Sequence, residues 1–391
     1  MSDGLSTVGD QIARIAVALL VLERSGSTFA ASATYALSYL TWMVGGPLLS
    51  GLPDRYPRRA VMVVCDLLRA ALIAVLAVPG LSLWIVFAVL AAVGMLSPPS
   101  DAARSALLAD LLDGERYVVA NALNNVVAQA GQVIGFLIGG ALVVAIEVEG
   151  ALLVDAATFI VSALVLQLSV RELPFERIRA AGATALTEAA AGVRLVMGDP
   201  RLRSLLAWGL LSACSVIATE GLAVSVAREE GGGPFVAGVL TGSAPIGFLI
   251  GSWLLLKVPP ARREGLFPFL VLASCAPLLL SAVIHDLRVL VVLWVLAGCG
   301  NALQLVANSA FVQAVPSHLR GRSFGFAGAA MFAVQGLVLL LGGALAEVTG
   351  ARVAVAVAAA LCAICVPFLP VTHAADDLAQ GRRRFGRSGQ R

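Results

Sequence analysis

Charge is what this chain has least of. Only 13% of its 391 residues are Asp, Glu, Lys or Arg, against roughly 25% in a soluble domain. A single large soluble helical core is excluded by the same shortage, because no charged faces alternate with the apolar ones. Lysine occurs once, at Lys257, so nearly all the basic charge is arginine. Histidine occurs three times (His285, His318, His373), each near an expected loop, which excludes a histidine-based metal site. The six cysteines (Cys65, Cys214, Cys275, Cys299, Cys362, Cys365) all fall in apolar stretches, where buried thiols act as small hydrophobes. Cys362-x-x-Cys365 has the spacing of a metal or redox pair, but no His or acid shares its helix. No G-x-x-x-x-G-K-[ST] loop is present, so ATP-driven work within the chain is not expected. Neither a credible catalytic triad nor an appended soluble domain is visible. The N-terminus lacks the basic region of a signal peptide and runs directly into an apolar segment.

Long hydrophobic runs are what the chain has instead: 59% of its residues are hydrophobic. Apolar stretches of near 20 residues, separated by Gly, Pro and charge, are long enough to cross a bilayer as helices. They predict an all-α integral membrane protein with twelve spans at 4–22, 29–49, 60–78, 82–101, 119–144, 151–169, 203–226, 235–256, 265–284, 288–308, 323–345 and 353–370. The longest stretch outside the membrane falls between spans six and seven. The expected organisation is an N-terminal six-helix bundle (1–170), a cytoplasmic linker (171–201), a C-terminal six-helix bundle (202–370) and a basic tail (371–391).

The arginines set an expected orientation. One set of loops and the tail carries 21 of the 27 Lys and Arg residues, the opposite set of loops carries 4, and Arg14 and Arg69 lie within spans. Positive loops stay on the cytoplasmic side, so both termini are expected in the cytoplasm, in a bacterial inner membrane. The arginine-rich tail reads as a topology signal and an anionic-lipid contact, not as a nucleic-acid arm.

The two halves repeat at an offset near 204. Arg58-Arg59 falls on Arg262-Arg263, Arg104-Ser105-Ala106 on Asn308-Ser309-Ala310, and Arg116 on Arg320. Gly139-Gly140-Ala141-Leu142 matches Gly342-Gly343-Ala344-Leu345 at 203. One register held across four separate places indicates two pseudo-symmetric bundles. That is a transporter architecture, with the substrate site between the halves near the bilayer midplane.

Against this apolar background a few polar side chains stand out. A charge at mid-membrane costs about 2.5–3.5 kcal/mol on insertion scales and usually faces the bundle interior. Asp10 and Arg14 share a face of span one at i,i+4. Asp10 is the first proton-coupling candidate, since burial and the Arg14 charge compete to set its proton affinity; a permanent Asp10–Arg14 pair that only orients helices is the alternative. Glu220 is a second candidate, for protons or for cationic substrates. Asp66 and Arg69 read as a structural ion pair that supports the nearby charged loop, and Asp155 as a cap or interfacial group. Asn121, Asn125, Gln129 and Gln132 follow one face of span five; Asn301, Gln304 and Asn308 follow one face of span ten. The second stripe is a substrate-binding candidate, with helix packing as the competing use. Gly131, Gly135, Gly139 and Gly140 permit close packing of span five.

Residues 51–59, GLPDRYPRR, place Gly51, Asp54, Arg55, Arg58 and Arg59 in the pattern G-x-x-x-D-R-x-x-R-R. This resembles the loop between spans two and three of the major facilitator superfamily. GDQIAR at 9–14, CDLLRA at 65–70, AARSALLADLL at 102–112, ANAL at 120–123 and LVDAATFIVSALVL at 153–166 resemble its branch of enterobactin exporters and macrolide efflux pumps. The resemblance covers essentially the whole chain. It implies that Asp54 meets the start of span eleven near Arg322 and Ser323; contacts that form as the cytoplasmic side closes and break as it opens would make the loop a gate, with a positive-inside anchor as the competing reading. It also implies that span ten lines the cavity while span three is peripheral to it. The glycines of span five resemble an antiporter motif, with Phe136 where that motif has proline. In the second half Val258 stands where Asp54 would align, so any gate is asymmetric. Only eight residues precede Gly9, so the first span is short or the true start lies upstream.

The expectation is a proton-coupled exporter of amphipathic small molecules such as a drug, macrolide or siderophore, acting as a monomer without a bound cofactor and drawing on the proton gradient. An importer or symporter of a polar metabolite, and a non-transporting membrane sensor of the same fold, are the alternatives. Predominantly apolar spans with few acids suggest a greasy cavity for the exporter.

Overall fold

The computed structural model describes residues 2–49, 51–111, 114–169, 185–315 and 320–370. Among these residues there is no strand, and twelve helical spans cross the molecule in alternation. Spans one to three are Ser2–Ser25, Thr28–Leu49 and Arg58–Leu76. Span four consists of Leu83–Met95 and Ser97–Leu111. Its joint precedes Pro98 and Pro99, and a residue before proline resists the helical conformation. The helix over Gly114–Ser169 breaks at Ile146 and at Glu147, whose φ is 59°, and so forms spans five and six. Spans seven and eight are Pro200–Glu229 and Pro234–Leu256, and span nine is Pro260–Leu280. Span ten is Leu287–Gly300 followed by Leu303–Ala314; spans eleven and twelve are Arg320–Thr349 and Ala351–Cys365.

Local chemistry sets the boundaries. Gly26 closes span one in the left-handed conformation (φ 67°), with its N–H on the Leu22 carbonyl at 2.9 Å, a glycine C-terminal stop. The Ser27 hydroxyl then accepts from the Ala30 amide at 3.0 Å and starts span two. Asp199 accepts from the amides of Arg201 and Leu202 at 2.8 and 3.3 Å, with Pro200 in the first turn. Span seven therefore starts two residues inside the expected linker. Of that linker, residues 185–198 form a helix, while 171–184, like the basic tail 371–391, lie outside the described residues. Span three carries Arg58, Arg59, Asp66 and Arg69, so length and apolarity alone do not mark it as a span among the nine that they do mark.

The chain begins at one face of the bundle, the near face, which also holds the 51–57 loop. The far face holds the turns around residues 26, 80, 147, 231, 284 and 350. The halves meet along two antiparallel pairs, span two with span eleven and span five with span eight. Glycine makes both contacts close. A Cβ on Gly140 would stand 2.6 Å from the Pro234 carbonyl oxygen and 3.0 Å from Gly238 Cα; one on Gly343 would stand 2.8 Å from Ser32 Cβ. Within the first half a Cβ on Gly135 would stand 2.6 Å from the Val8 carbonyl oxygen, and one on Gly139 would lie 3.0 Å from Ile12 Cα. Phe136, where the resembled motif has proline, is fully buried, with its backbone against Gly238 of span eight.

The halves touch unevenly. Among the described residues, the hydrogen bonds between them join residues 14–39 of the first half to Glu220, Arg228, Leu339 and Glu347 of the second. All lie between mid-bundle and the far face. Toward the near face, added Cβ atoms on Gly325 and Gly328 would meet nothing within 4 Å, and Phe324 is exposed. Among the described residues, the halves are closed together at the far face and parted at the near face.

Gly135→Val is expected to destabilise the protein by about 1–3 kcal/mol, the usual cost of overpacking. Gly198→Ala, in open space, serves as the control. Thermal unfolding in detergent checks both.

Candidate functional site

Between the halves lies a cavity of about 340 Å³. Span five supplies Gln129 and Gln132, span ten Asn301, Gln304 and Asn308, span seven Thr219 and Glu220, and span eleven Met331 and Gln335. The amide stripes read on spans five and ten thus converge on one chamber; the side chains of Asn121 and Asn125 lie outside those described. Asn301 Oδ1 accepts from the Ser212 hydroxyl at 2.7 Å, and Gln304 Nε2 donates to the Gly209 carbonyl at 2.8 Å. These two therefore also tie span ten to span seven. The expected greasy cavity is corrected here: the chamber is amide-lined. It continues toward the near face, through Asn308 and Met331, into a space of about 310 Å³ lined by Leu205, Leu206, Phe311, Phe324 and Phe332.

Glu220 stands where the halves join. Its Oε1 accepts from Arg14 Nη1 at 3.1 Å and its Oε2 from the Tyr39 hydroxyl at 3.0 Å, while the Arg14 guanidinium lies 5.7 Å from the Tyr39 ring centroid. The alternative of a permanent pair inside span one is not the arrangement found: Arg14 reaches across the halves to Glu220 of span seven. Tyr39, Thr241 and Gln335, all on the chamber wall, were missed in the sequence. Gln335 had a signal, since it is an amide in the otherwise apolar middle of span eleven.

A second cavity, also about 340 Å³, lies within the first half and is lined by Asp10, Arg14, Thr34, Arg69, Asp101 and Arg104 among others. Asp10 has Arg69, Arg14, Asp66 and Arg104 as its charged neighbours. The Asp66–Arg69 reading changes accordingly. Arg69 is eleven residues from Arg58, about 16 Å along a helix, which is too far to brace the charged loop. Asp66 accepts from the Ser162 hydroxyl at 2.7 Å, and the Arg69 guanidinium lies 5.4 Å from the Phe159 ring centroid. Span three therefore lines this second cavity through Arg69 and Ile73, while no described residue of it is among those lining the chamber between the halves. Asp155 is also not interfacial; it is fully buried in span six, with its Oδ1 3.3 Å from the Thr158 hydroxyl.

At the near face, Arg58 Nη1 donates to the Ala106 carbonyl at 2.9 Å and pairs with Asp110, holding the end of span four. Asp54, Arg55 and Tyr56 are exposed. No hydrogen bond or ion pair from the Asp54 carboxylate to a described residue is present, and a Cβ on Gly51 would meet nothing within 4 Å. The expected Asp54 contact is with the start of span eleven near Arg322 and Ser323, part of which lies outside the described residues. The Arg322 side chain lies outside those described; Ser323 is buried. No group of three or more His, Cys, Asp or Glu side chains able to hold a metal occurs among the described residues.

Two antiparallel cross-half helix pairs around a polar chamber are the geometry of one transporter family, and its family model, the Major Facilitator Superfamily, matches residues 4–284. The chain belongs to that superfamily. It is a multi-pass membrane transporter, not an enzyme. Its curated relatives include the multidrug efflux pump Tap of Mycolicibacterium fortuitum, 27% identical over 88% of this chain and 87% of that one. Another is the uncharacterized MFS-type transporter YfiS of Bacillus subtilis, 24% identical over 90% and 87%. Among solved structures, the nucleoside transporter NupG superposes with a TM-score of 0.70 at 14% identity, over 94% of this chain and 96% of that one. A bacterial homologue of the human lysosomal transporter Spinster, inward-facing and occupied, superposes with a TM-score of 0.73 at 15% identity, over 94% of both chains. At these identities the structural likeness shows the fold alone.

Breaking a buried ion pair from one side costs about 3–5 kcal/mol, because the remaining charge is stranded. Arg14→Ala is therefore expected to lose more stability than Arg14→Ala combined with Glu220→Gln. Equal melting temperatures for the single and double variants would remove the pair from the account.

Proposed function

We propose that this transporter is a proton-coupled exporter of amphipathic small molecules, such as a drug, macrolide or siderophore, working by alternating access. In this reading it is a monomer in a bacterial inner membrane. Both termini and the near face are in the cytoplasm, and the basic loops lie against anionic lipid. The observation that carries the reading is the Arg14–Glu220–Tyr39 cluster, which ties the halves together at the wall of the shared chamber. A proton on Glu220, or a cationic substrate group beside it, releases Arg14. Arg14 then turns to Asp10 one helical turn away, so its charge is never left unpaired. The bond between the halves breaks, and the far face is free to open. Substrate and proton compete for one carboxylate, which is the logic of an antiporter. The chamber itself suits an amphipathic guest: amides line its centre, and aromatic and aliphatic side chains line its extension toward the near face. Efflux by the relative Tap agrees in direction.

One observation favours an importer of a polar metabolite instead, namely the amides of Gln129, Gln132, Asn301, Gln304, Asn308 and Gln335 around the chamber. The two readings separate in energised cells loaded with a panel of fluorescent amphipathic cations. Export lowers accumulation in wild type, and collapse of the proton gradient restores it. Asp10→Asn and Glu220→Gln are each expected to cut gradient-driven efflux at least about tenfold. Efflux equal to wild type and indifferent to the gradient would rule out the coupling. Asp54→Asn is expected to fold normally and transport poorly; full transport would dismiss the near-face gate.

A further inference from the structure

The gate read from the sequence lies on the near face, where Asp54 is exposed. At the opposite end of the same two helices a contact is made that no motif points to. Spans two and eleven run antiparallel, so each face of the protein has the N-terminus of one beside the C-terminus of the other. At the far face Glu347, in the last turn of span eleven, reaches across the halves to the first turn of span two. Its Oε1 accepts from the Phe29 amide at 2.9 Å and from the Ser27 hydroxyl. The first four amides of a helix lack partners within the helix, and a carboxylate there is favoured by the helix dipole. The contact between the two spans continues inward. Ser32 Oγ donates to the Leu339 carbonyl at 2.7 Å, Gly336 lies against Leu40, and Trp42 and Phe332 have ring centroids 4.7 Å apart. Beyond Phe332 the two helices part.

We propose that Glu347 is the far-face latch of the transport cycle, a positioning residue that holds span eleven to span two while the near face is open. Asp54 follows the end of span two and, on the other face, would meet the start of span eleven by the same construction. One helix pair thus carries an acid at each end, and each acid caps the other helix in the opposite state. The second cross-half pair, spans five and eight, has neither acid. By the internal repeat, Val144 stands at the position of Glu347 and Val258 at that of Asp54. The device of an acid capping the other helix is therefore confined to spans two and eleven, while spans five and eight, joined at Gly140 and Gly238, act as a plain hinge. The far ends of the halves are also joined by Arg228, whose Nη1 donates to the Leu22 carbonyl at 3.1 Å. Glu347 is thus one of two far-face ties, and the one that engages a helix N-terminus.

The latch rests on the reading that the halves rock, and the test separates the two ideas. Nitroxides on Ser82 and Val283, in exposed far-face turns of opposite halves, report far-face opening by pulsed electron resonance in the full chain with its six cysteines replaced. Glu347→Ala is expected to raise the ratio of long to short distances by about three- to thirty-fold, the range of a lost helix cap. Phe29→Pro removes the amide donor together with the phenyl ring, in a helix turn that tolerates proline, and Phe29→Ala, which keeps the amide, is the control for the ring. Phe29→Pro should shift the ratio in the same direction, and the double variant should go no further than the larger single shift. Asp54→Asn should move the ratio the opposite way. A ratio that responds to Asp54→Asn but not to Glu347→Ala or Phe29→Pro overturns the latch and leaves the rocking intact. A single distance unmoved by all three variants overturns the rocking, and the latch with it.

Discussion

An arginine in the middle of a membrane protein cannot be left without a partner, and the arrangement of this transporter follows from where Arg14 finds one. It does not close on Asp10 within its own helix. It reaches across the halves to Glu220 of span seven, and Tyr39 of span two completes the contact. Three helices from two bundles are thereby tied at one point inside the protein. Because the tie is electrostatic and the medium is poorly screening, adding a proton or a competing cation there changes the balance between the halves far more than it would at the surface.

The remaining contacts show how the halves can part without losing their internal structure. Within the first half, spans one and five touch through Gly135 and Gly139 at backbone distance, close packing that binds these helices into one unit. Between the halves the contacts are fewer and grouped at the far face. The near face holds charged groups that are committed to their own half, such as Arg58 on the end of span four, or that are exposed, such as Asp54. Tight packing inside each half, with the contacts between the halves gathered toward one face, is what a two-state device needs.

Much of this was legible in the sequence because the membrane imposes a length on every span and a penalty on every charge. The spans, the repeat, and the amide stripes on spans five and ten follow from those two constraints. The stripes converge on one chamber because a helix amide in lipid must turn toward another polar surface. What the sequence hid was pairing across large separations. Asp10–Arg14 looked self-sufficient at i,i+4, yet the Arg14 partner is 206 residues away. Asp66 and Arg69 looked like support for the neighbouring loop, yet three turns of helix carry Arg69 to an internal cavity. Glu347 looked like an ordinary residue at a helix end. A local pattern reveals which side chains are expensive to bury, but not which distant group meets the cost.

The central claim is that substrate and proton compete for the carboxylate that Arg14 holds. Proton release on adding a transported cation to the purified protein, read with a pH-sensitive dye in weakly buffered detergent, tests it directly. Wild type should release protons in proportion to occupied sites, and Glu220→Gln should release far fewer while still binding the cation. Equal release from both proteins would contradict the account.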